Sequence, residues 1–171
     1  MSETKRLFIF GFGYCAAALA RSLMAKGWEV AGTSRHIPRR REMERLGIKA
    51  YDFPDERLTE DLAQYSHLLC SVGPIKLGDT VINHYGDAIA NHKWKWVGYL
   101  STTGVYGDHQ GGWVDEATPV KGDNERIRAR VVAERKWMSL YEEKHTPVHL
   151  FRLAGIYGCL LYTSPSPRDR G

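Results

Sequence analysis

The stretch 6–16, "RLFIFGFGYCA", joins an apolar run to a glycine-rich turn and decides the fold. Its "LFIF" is continuously apolar, which is typical of a strand buried on both faces of a sheet. The pattern G-x-G-x-x-A follows at Gly11, Gly13 and Ala16 and leads directly into an Ala- and Leu-rich segment. A buried strand, a tight turn and a helix in immediate succession predict the first β–α unit of a parallel sheet.

Short apolar runs alternate with longer amphipathic segments along the rest of the chain. The predicted strands are 6–11, 29–34, 48–53, 67–73, 94–102 and 148–156, and the predicted helices are 14–27, 40–47, 58–65, 79–92 and 124–144. Asn124 is the expected N-cap of the last helix, and residues 103–124 form a long loop. This alternation predicts an α/β fold with a parallel sheet covered by helices on both faces.

Composition fits one globular domain: the chain has 171 residues, of which 43% are hydrophobic and 26% charged. No apolar run approaches the length of about 20 residues that spans a membrane. The net charge of +4 is too small to indicate a partner. Cys15, Cys70 and Cys159 are odd in number and lack metal-site spacing, which predicts free thiols, a reducing, cytoplasmic location and no metal site.

The basic start before an apolar segment is also typical of a secretory signal. Gly11 and Gly13 interrupt that apolar run, however, and they have a better explanation in nucleotide binding. Gly11 permits a tight turn, Gly13 lets the backbone approach a pyrophosphate, and Ala16 lets the helix pack closely against the strand. The pyrophosphate would lie at the N–H groups of the helix N-terminus. The residues predicted to bind a dinucleotide here are Gly11, Phe12, Gly13, Tyr14 and Cys15. The alternative is a glycine turn that binds nothing.

The end of the second strand indicates which dinucleotide is bound. An NAD site usually has an acidic residue there, which binds the ribose hydroxyls. This chain instead has Thr33, Ser34 and Arg35, with no acid between Glu29 and Glu42. Arg35 suits the 2′-phosphate of NADP, because a guanidinium binds phosphate oxygens in a fork geometry. We therefore expect NADP rather than NAD, the alternative being a solvated basic helix start.

Further cofactor contacts are expected where the other strands end, because ligands bind at the carboxyl ends of parallel strands. Asp52 and Phe53 end the third strand, near the expected adenine. A second set ends the fourth strand, near the expected nicotinamide ribose: Ser71, Val72, Gly73 and Pro74. Ser101, near the end of the fifth strand, is a further expected cofactor contact. Ordinary turn chemistry is the alternative for these residues.

Five segments carry a family resemblance: "GFGYCAAALARSL", "GTSR", "YLSTTGVYG", "DEATP" and "VHLFRLAGIYG". Together they resemble the short-chain dehydrogenase/reductase superfamily, in its extended epimerase/dehydratase-like branch and an atypical subgroup of that branch. The resemblance covers residues 5–158. It implies a Rossmann-type, doubly wound parallel sheet with strand order 3-2-1-4-5-6, truncated before its last strand.

The resemblance also implies catalytic residues. Thr102, three residues before "VYG", matches the Ser or Thr that hydrogen-bonds the substrate at the reacting carbon. The family's Tyr-x-x-x-Lys pair, counted back from Glu134, falls on Arg126 and Arg130. Arg130 can still hold the cofactor ribose, whereas Arg126 cannot shuttle a proton because a guanidinium stays protonated. Tyr106 is the candidate for a substitute acid.

Two functions follow from these features. The first is an NAD(P)-dependent oxidoreductase or epimerase/dehydratase-like enzyme acting on a small, sugar-like substrate. The second is a non-catalytic NAD(P)-binding sensor or interaction protein, which the missing Tyr–Lys pair favours. We expect neither a nucleic acid nor a membrane as a partner, and a homodimer is left open.

The last segment, 159–171, "CLLYTSPSPRDRG", has no helical or strand period beyond its first residues. It resembles translated sequencing-adapter read-through, and a disordered native tail is the alternative. The expected domain is therefore 1–158, and we expect the natural protein to continue differently beyond Gly158.

Overall fold

The computed structural model describes residues 4–157, and the predicted tail 159–171 lies outside them. Six strands are present: β1 Arg6–Phe10, β2 Glu29–Thr33, β3 Lys49–Tyr51, β4 His67–Cys70, β5 Trp96–Thr102 and β6 Val148–Leu153. The α-helices are α1 Tyr14–Met24, α2 Ile37–Arg45, α3 Leu58–Asp61, α4 Thr80–Asn91 and α5 Glu125–Lys144. Short 3-10 turns cover Leu62–Gln64 and Thr103–Tyr106.

The strands form one parallel sheet in the order β3-β2-β1-β4-β5-β6, which confirms the predicted Rossmann-type topology. β1 is central and pairs with β2 on one side and β4 on the other. The chain thus crosses over in opposite directions from β1. Such a switch point opens a crevice beyond the carboxyl ends of the strands.

Both faces of the sheet are covered, as the apolar runs predict. Phe8 and Phe10 project into a core with α4 and α5, in which Trp137 is completely buried. Leu7 and Ile9 alternate to the opposite face and pack against α1 and α2. "LFIF" is therefore buried from both sides, and β1 is fixed as the centre of the molecule.

Several element boundaries differ from those predicted. α2 begins at Ile37 rather than residue 40, because Pro38 lies in its first turn, where a missing N–H costs no helical hydrogen bond. β6 ends at Leu153 rather than 156. The predicted loop 103–124 opens with a 3-10 turn. Asn124 caps α5 as predicted, accepting the Ile127 N–H at 2.9 Å. Within residues 4–157, no helix combines the length and apolarity required to cross a membrane.

Asp79 links helices α4 and α5 through hydrogen bonds. Its Oδ1 accepts the N–H groups of Val81 and Ile82 at 2.9 and 3.0 Å and so caps α4. Its Oδ2 accepts Nε1–H of Trp137 in α5 at 3.0 Å. Only 2% of Asp79 is exposed, so these donors replace the water that the carboxylate loses.

We expect Asp79→Ala to lower the free energy of unfolding by about 2–4 kcal/mol, because the helix loses its cap and the Trp137 N–H loses its partner. Chemical denaturation measures the change. Asp87→Ala is the matched control, since Asp87 is an exposed residue of the same helix. Equal stability of the two variants would contradict this role for Asp79.

Candidate functional site

A groove of about 380 Å³ lies beyond the carboxyl ends of β1, β2 and β4, at the switch point of the sheet. We call it the switch-point groove. It is lined by Gly11, Phe12, Gly13, Thr33, Ser34, Arg35, His36, Phe53, Ser71, Val72, Gly73, Ile75 and Thr80. Ten of these thirteen residues were predicted to bind a cofactor; His36, Ile75 and Thr80 were not.

The turn after β1 depends on glycine at position 11. Gly11 has φ +83°, and a Cβ there would lie 2.8 Å from Cγ2 of Val72. Its N–H donates to Thr33 Oγ1 at 3.0 Å, and the Phe12 N–H donates to the Thr33 carbonyl at 2.9 Å. The buried hydroxyl of Thr33 therefore holds the turn in place, in addition to lining the groove.

Gly13 leaves the groove open at the start of α1. No atom lies within 4 Å of the position that a Cβ would take, apart from its own chain neighbours. Gly13 is also the N-cap, and no side chain caps the helix. The first N–H groups of α1, including those of Tyr14 and Cys15, lack intrahelical acceptors. Free N–H groups and the positive end of the helix dipole make this position suited to an anion such as a diphosphate.

The basic residues after β2 divide into paired and groove-lining groups. Arg40 Nη1 donates to the Ser34 carbonyl at 2.6 Å and forms an ion pair with Asp52 at 2.9 Å. Arg39 pairs with Glu42 at 2.8 Å. Arg35 is exposed and lines the groove. Asp52, predicted to lie near adenine, instead joins the ends of β2 and β3 through Arg40 and does not line the groove.

The walls of the groove come from the ends of β3 and β4. Phe53 packs edge-on against Phe10 and Tyr85, with ring centroids 6.1 and 6.0 Å away, and offers a flat apolar surface. Ser71, Val72 and Gly73 form the opposite wall, whereas Pro74 does not line the groove.

Arg130 lies directly behind the Gly73 wall. Its Nη1 donates to the Leu100 carbonyl at 2.9 Å and to the Tyr99 hydroxyl at 3.3 Å. Its Nη2 lies 2.8 Å from the position that a Cβ on Gly73 would take. Arg126, one helical turn earlier, is exposed. The structure therefore brings Arg130, but not Arg126, against a wall of the groove.

Ser101 and Thr102 end β5 without lining the groove. Thr102 Oγ1 accepts the Gly104 N–H at 3.2 Å and so shapes the following turn. Ser101 is 5% exposed, and among the described residues its Oγ has no hydrogen-bond partner. An unsatisfied buried hydroxyl is uncommon in folded proteins.

Tyr106 lies in a different cavity from the switch-point groove. Its hydroxyl accepts Nη1–H of Arg152 at 3.0 Å, and the guanidinium carbon lies 4.9 Å from the centroid of its ring. Arg152 also donates to both carboxylate oxygens of the buried Glu134, and this raises the pKa of Arg152 above its usual value. Tyr106 and Arg152 line a cavity of about 670 Å³ beside β6. Sequence analysis missed Arg152, although an arginine within the run "VHLFRLAGI" was a signal.

Comparisons with known proteins agree with this architecture. No family model and no curated protein matches the chain. A functionally unknown conserved protein from Silicibacter pomeroyi is 44% identical, with a TM-score of 0.83, over 90% of this chain and 55% of its own. UDP-glucuronic acid 4-epimerase from Bacillus cereus, in complex with NAD, is 16% identical, with a TM-score of 0.76. The match covers 90% of this chain and 58% of the epimerase. A putative epimerase from Burkholderia cenocepacia is 17% identical, with a TM-score of 0.71. The match covers 88% of this chain and 54% of that protein.

These similarities show the fold. The structural neighbours include epimerases and a reductase and cover most of this chain. The chain spans only 54–58% of the length of the three structures compared above.

The two glycines of the turn should respond differently to alanine. We expect Gly11→Ala to lower the free energy of unfolding by about 2 kcal/mol, because alanine is strained at positive φ and its methyl group meets Val72. Gly13→Ala, in open space and at a normal φ, should cost less than about 1 kcal/mol. Urea denaturation of both variants measures the difference, and a larger cost for Gly13→Ala would contradict the described geometry.

Proposed function

We propose that this chain is the NAD(P)-binding part of an oxidoreductase or epimerase/dehydratase-like enzyme of the short-chain dehydrogenase superfamily, and that it prefers NADPH. The observation that carries this proposal is the uncapped N-terminus of α1 facing open space above Gly13. The turn is fixed by hydrogen bonds from Gly11 and Phe12 to Thr33, and the space beside Gly13 is open. This combination suits a pyrophosphate. The epimerase from Bacillus cereus that shares this fold was solved with NAD.

Four parts of the groove would hold the dinucleotide. The Gly13 turn takes the pyrophosphate, Arg35 the adenosine ribose with its 2′-phosphate, and the Phe53 ring the adenine. The 71–73 wall, with Arg130 behind it, takes the nicotinamide ribose. The bound cofactor supplies hydride transfer, and the protein supplies orientation.

The preference for NADPH rests on which charges remain available to a ligand. Arg40 neutralises Asp52, the nearest acid at the ends of β2 and β3, and the pair does not line the groove. Arg35 lines the groove as an exposed guanidinium. A cation beside the adenosine ribose, without a competing carboxylate in the lining, favours a phosphate over a pair of hydroxyls.

Catalysis needs a proton donor within hydrogen-bond reach of the reacting oxygen. Thr102 can orient a substrate hydroxyl or carbonyl, but a threonine hydroxyl is too weakly acidic to hold a charge near neutral pH. Tyr106 remains the proposed acid, although its hydroxyl is bound to Arg152 beside the larger cavity. A small, sugar-like substrate is proposed because two of the structural neighbours are UDP-sugar epimerases.

The alternative function is a non-catalytic NAD(P)-binding sensor. The exposed Arg126 favours it, since this position is where the resemblance would place the catalytic tyrosine. Cofactor binding is common to both functions, and only turnover separates them.

We expect the chain to bind NADPH more tightly than NADH and Arg35→Ala to remove this preference. Losing a charge-assisted phosphate contact should cost about 1.5–3 kcal/mol, or roughly 10- to 100-fold in affinity for NADPH. Isothermal titration with both cofactors measures this. Arg39→Ala is the control, because Arg39 belongs to the same basic run but pairs with Glu42 away from the groove lining. Equal affinities for NADPH and NADH, with no change in the Arg35→Ala variant, would rule out the NADPH preference.

If the protein is an enzyme, we expect Thr102→Ala and Tyr106→Phe each to lower kcat at saturating NADPH by roughly 100-fold, in keeping with the loss of acid–base assistance. The assay is cofactor oxidation with a panel of sugar nucleotides and carbonyl compounds. Thr59→Ala and Tyr141→Phe are matched controls at exposed sites. Full activity in both test variants would place the active site elsewhere, and binding without turnover on any substrate would support the sensor.

A further inference from the structure

The two terminal nitrogens of the Arg130 guanidinium face different parts of the structure. Nη1 is held by β5, through the Leu100 carbonyl and the Tyr99 hydroxyl. Nη2 lies against Gly73, whose backbone lines the switch-point groove. A lysine at this position would have a single nitrogen for both tasks, whereas the planar guanidinium separates its donors by a fixed geometry.

Tyr99 is a rigid anchor for this arginine. Its ring is completely buried and stacks on Trp137, with centroids 5.5 Å apart and planes inclined by 25°. Trp137 is in turn fixed through Nε1–H to Asp79. Burial raises the pKa of the Tyr99 phenol, so the hydroxyl stays neutral and available as an acceptor at any working pH.

Holding an arginine in one rotamer before the ligand arrives has a definite benefit. A free arginine side chain loses about 2 kcal/mol of rotamer entropy when a ligand immobilises it. An arginine already held by the protein avoids much of that loss, and the ligand then binds more tightly.

We propose that Tyr99 is a positioning residue, which holds Arg130 so that Nη2 donates past Gly73 to the ribose hydroxyls of the nicotinamide half of the cofactor. This inference rests on the proposed function, because it assumes a dinucleotide in the switch-point groove. It adds a residue of the sheet interior to the binding machinery and makes arginine, rather than lysine, the residue suited to position 130.

The test is a double-mutant cycle on the complete chain with Tyr99→Phe, Arg130→Met and the double variant. The dissociation constant for NADPH is measured by isothermal titration. We expect Tyr99→Phe to weaken binding about fivefold and Arg130→Met at least tenfold, as for one hydrogen bond to a charged group. In the Arg130→Met background, Tyr99→Phe should have no further effect. Tyr65→Phe, at another buried tyrosine that lines a separate cavity beside the first residues of β1 and β2, should not change affinity.

Gly73→Ala gives a second and independent test. Its methyl group would occupy the space beside Nη2 and displace the flexible end of Arg130. We expect it to weaken NADPH binding by at least fivefold with arginine at position 130 and by a clearly smaller factor with methionine there, because methionine lacks the guanidinium.

The outcomes distinguish this inference from the proposed function. Loss of affinity that depends on Arg130 supports the positioning role. An equal loss from Tyr99→Phe in both backgrounds indicates a packing defect and overturns it, and so does no loss in either. If the unmodified chain binds neither NADPH nor NADH, the proposed function fails and this inference fails with it. If the unmodified chain binds NADPH tightly but the effects of Tyr99→Phe and Arg130→Met are independent, only the role of Tyr99 is ruled out.

Discussion

The close approach of three strands around Gly11 is the constraint on which the rest of the structure depends. Gly11 donates to the Thr33 hydroxyl at the end of β2, and its Cα faces Val72 just beyond β4 with no room for a methyl group. The ends of β1, β2 and β4 are thereby fixed relative to one another. Because α1 begins three residues later, at Tyr14, its N-terminus is directed into the space between these strands. The groove is thus a consequence of the turn.

Three arginines show how a cation that is neutralised within the fold differs from one whose charge is available to a ligand. Arg40 and Arg152 are largely buried and have carboxylate partners, Asp52 and Glu134, so their charges are neutralised within the fold. Burying an arginine without such a partner would be costly. Arg35 is exposed at the groove instead, and its charge is available to a ligand. In the part of the chain that the structure describes, this difference favours Arg35 over Arg39 and Arg40 for the phosphate-binding role that we propose.

The sequence predicts the sheet well because its signals are local. The run "LFIF", the glycine turn and the Asn124 cap each determine a backbone conformation within a few residues, and all three are confirmed. The order of the strands followed from resemblance to a family, and it is also confirmed. The partners of side chains are predicted less well, since they depend on residues that are distant in sequence. Arg152 pairs with Glu134 across 18 positions, and Tyr106 joins them from 46 positions away.

Helix α5 shows why the binding parts of the site and its proton-transfer part must be considered separately. Arg126, Arg130 and Glu134 are spaced by one helical turn and lie roughly along one side of the helix. Arg130 and Glu134 are packed against β5 and β6 and contact Leu100 and Arg152, whereas Arg126 is exposed near the N-terminus of the helix. Packing thus fixes the residues that hold the groove wall and the 3-10 turn, but it places no comparable constraint on Arg126. The resemblance places a proton donor at this position, and a change at an exposed residue can remove such a donor while it leaves the fold and the groove intact. The geometry of the groove is therefore evidence for cofactor binding, and turnover requires evidence of its own.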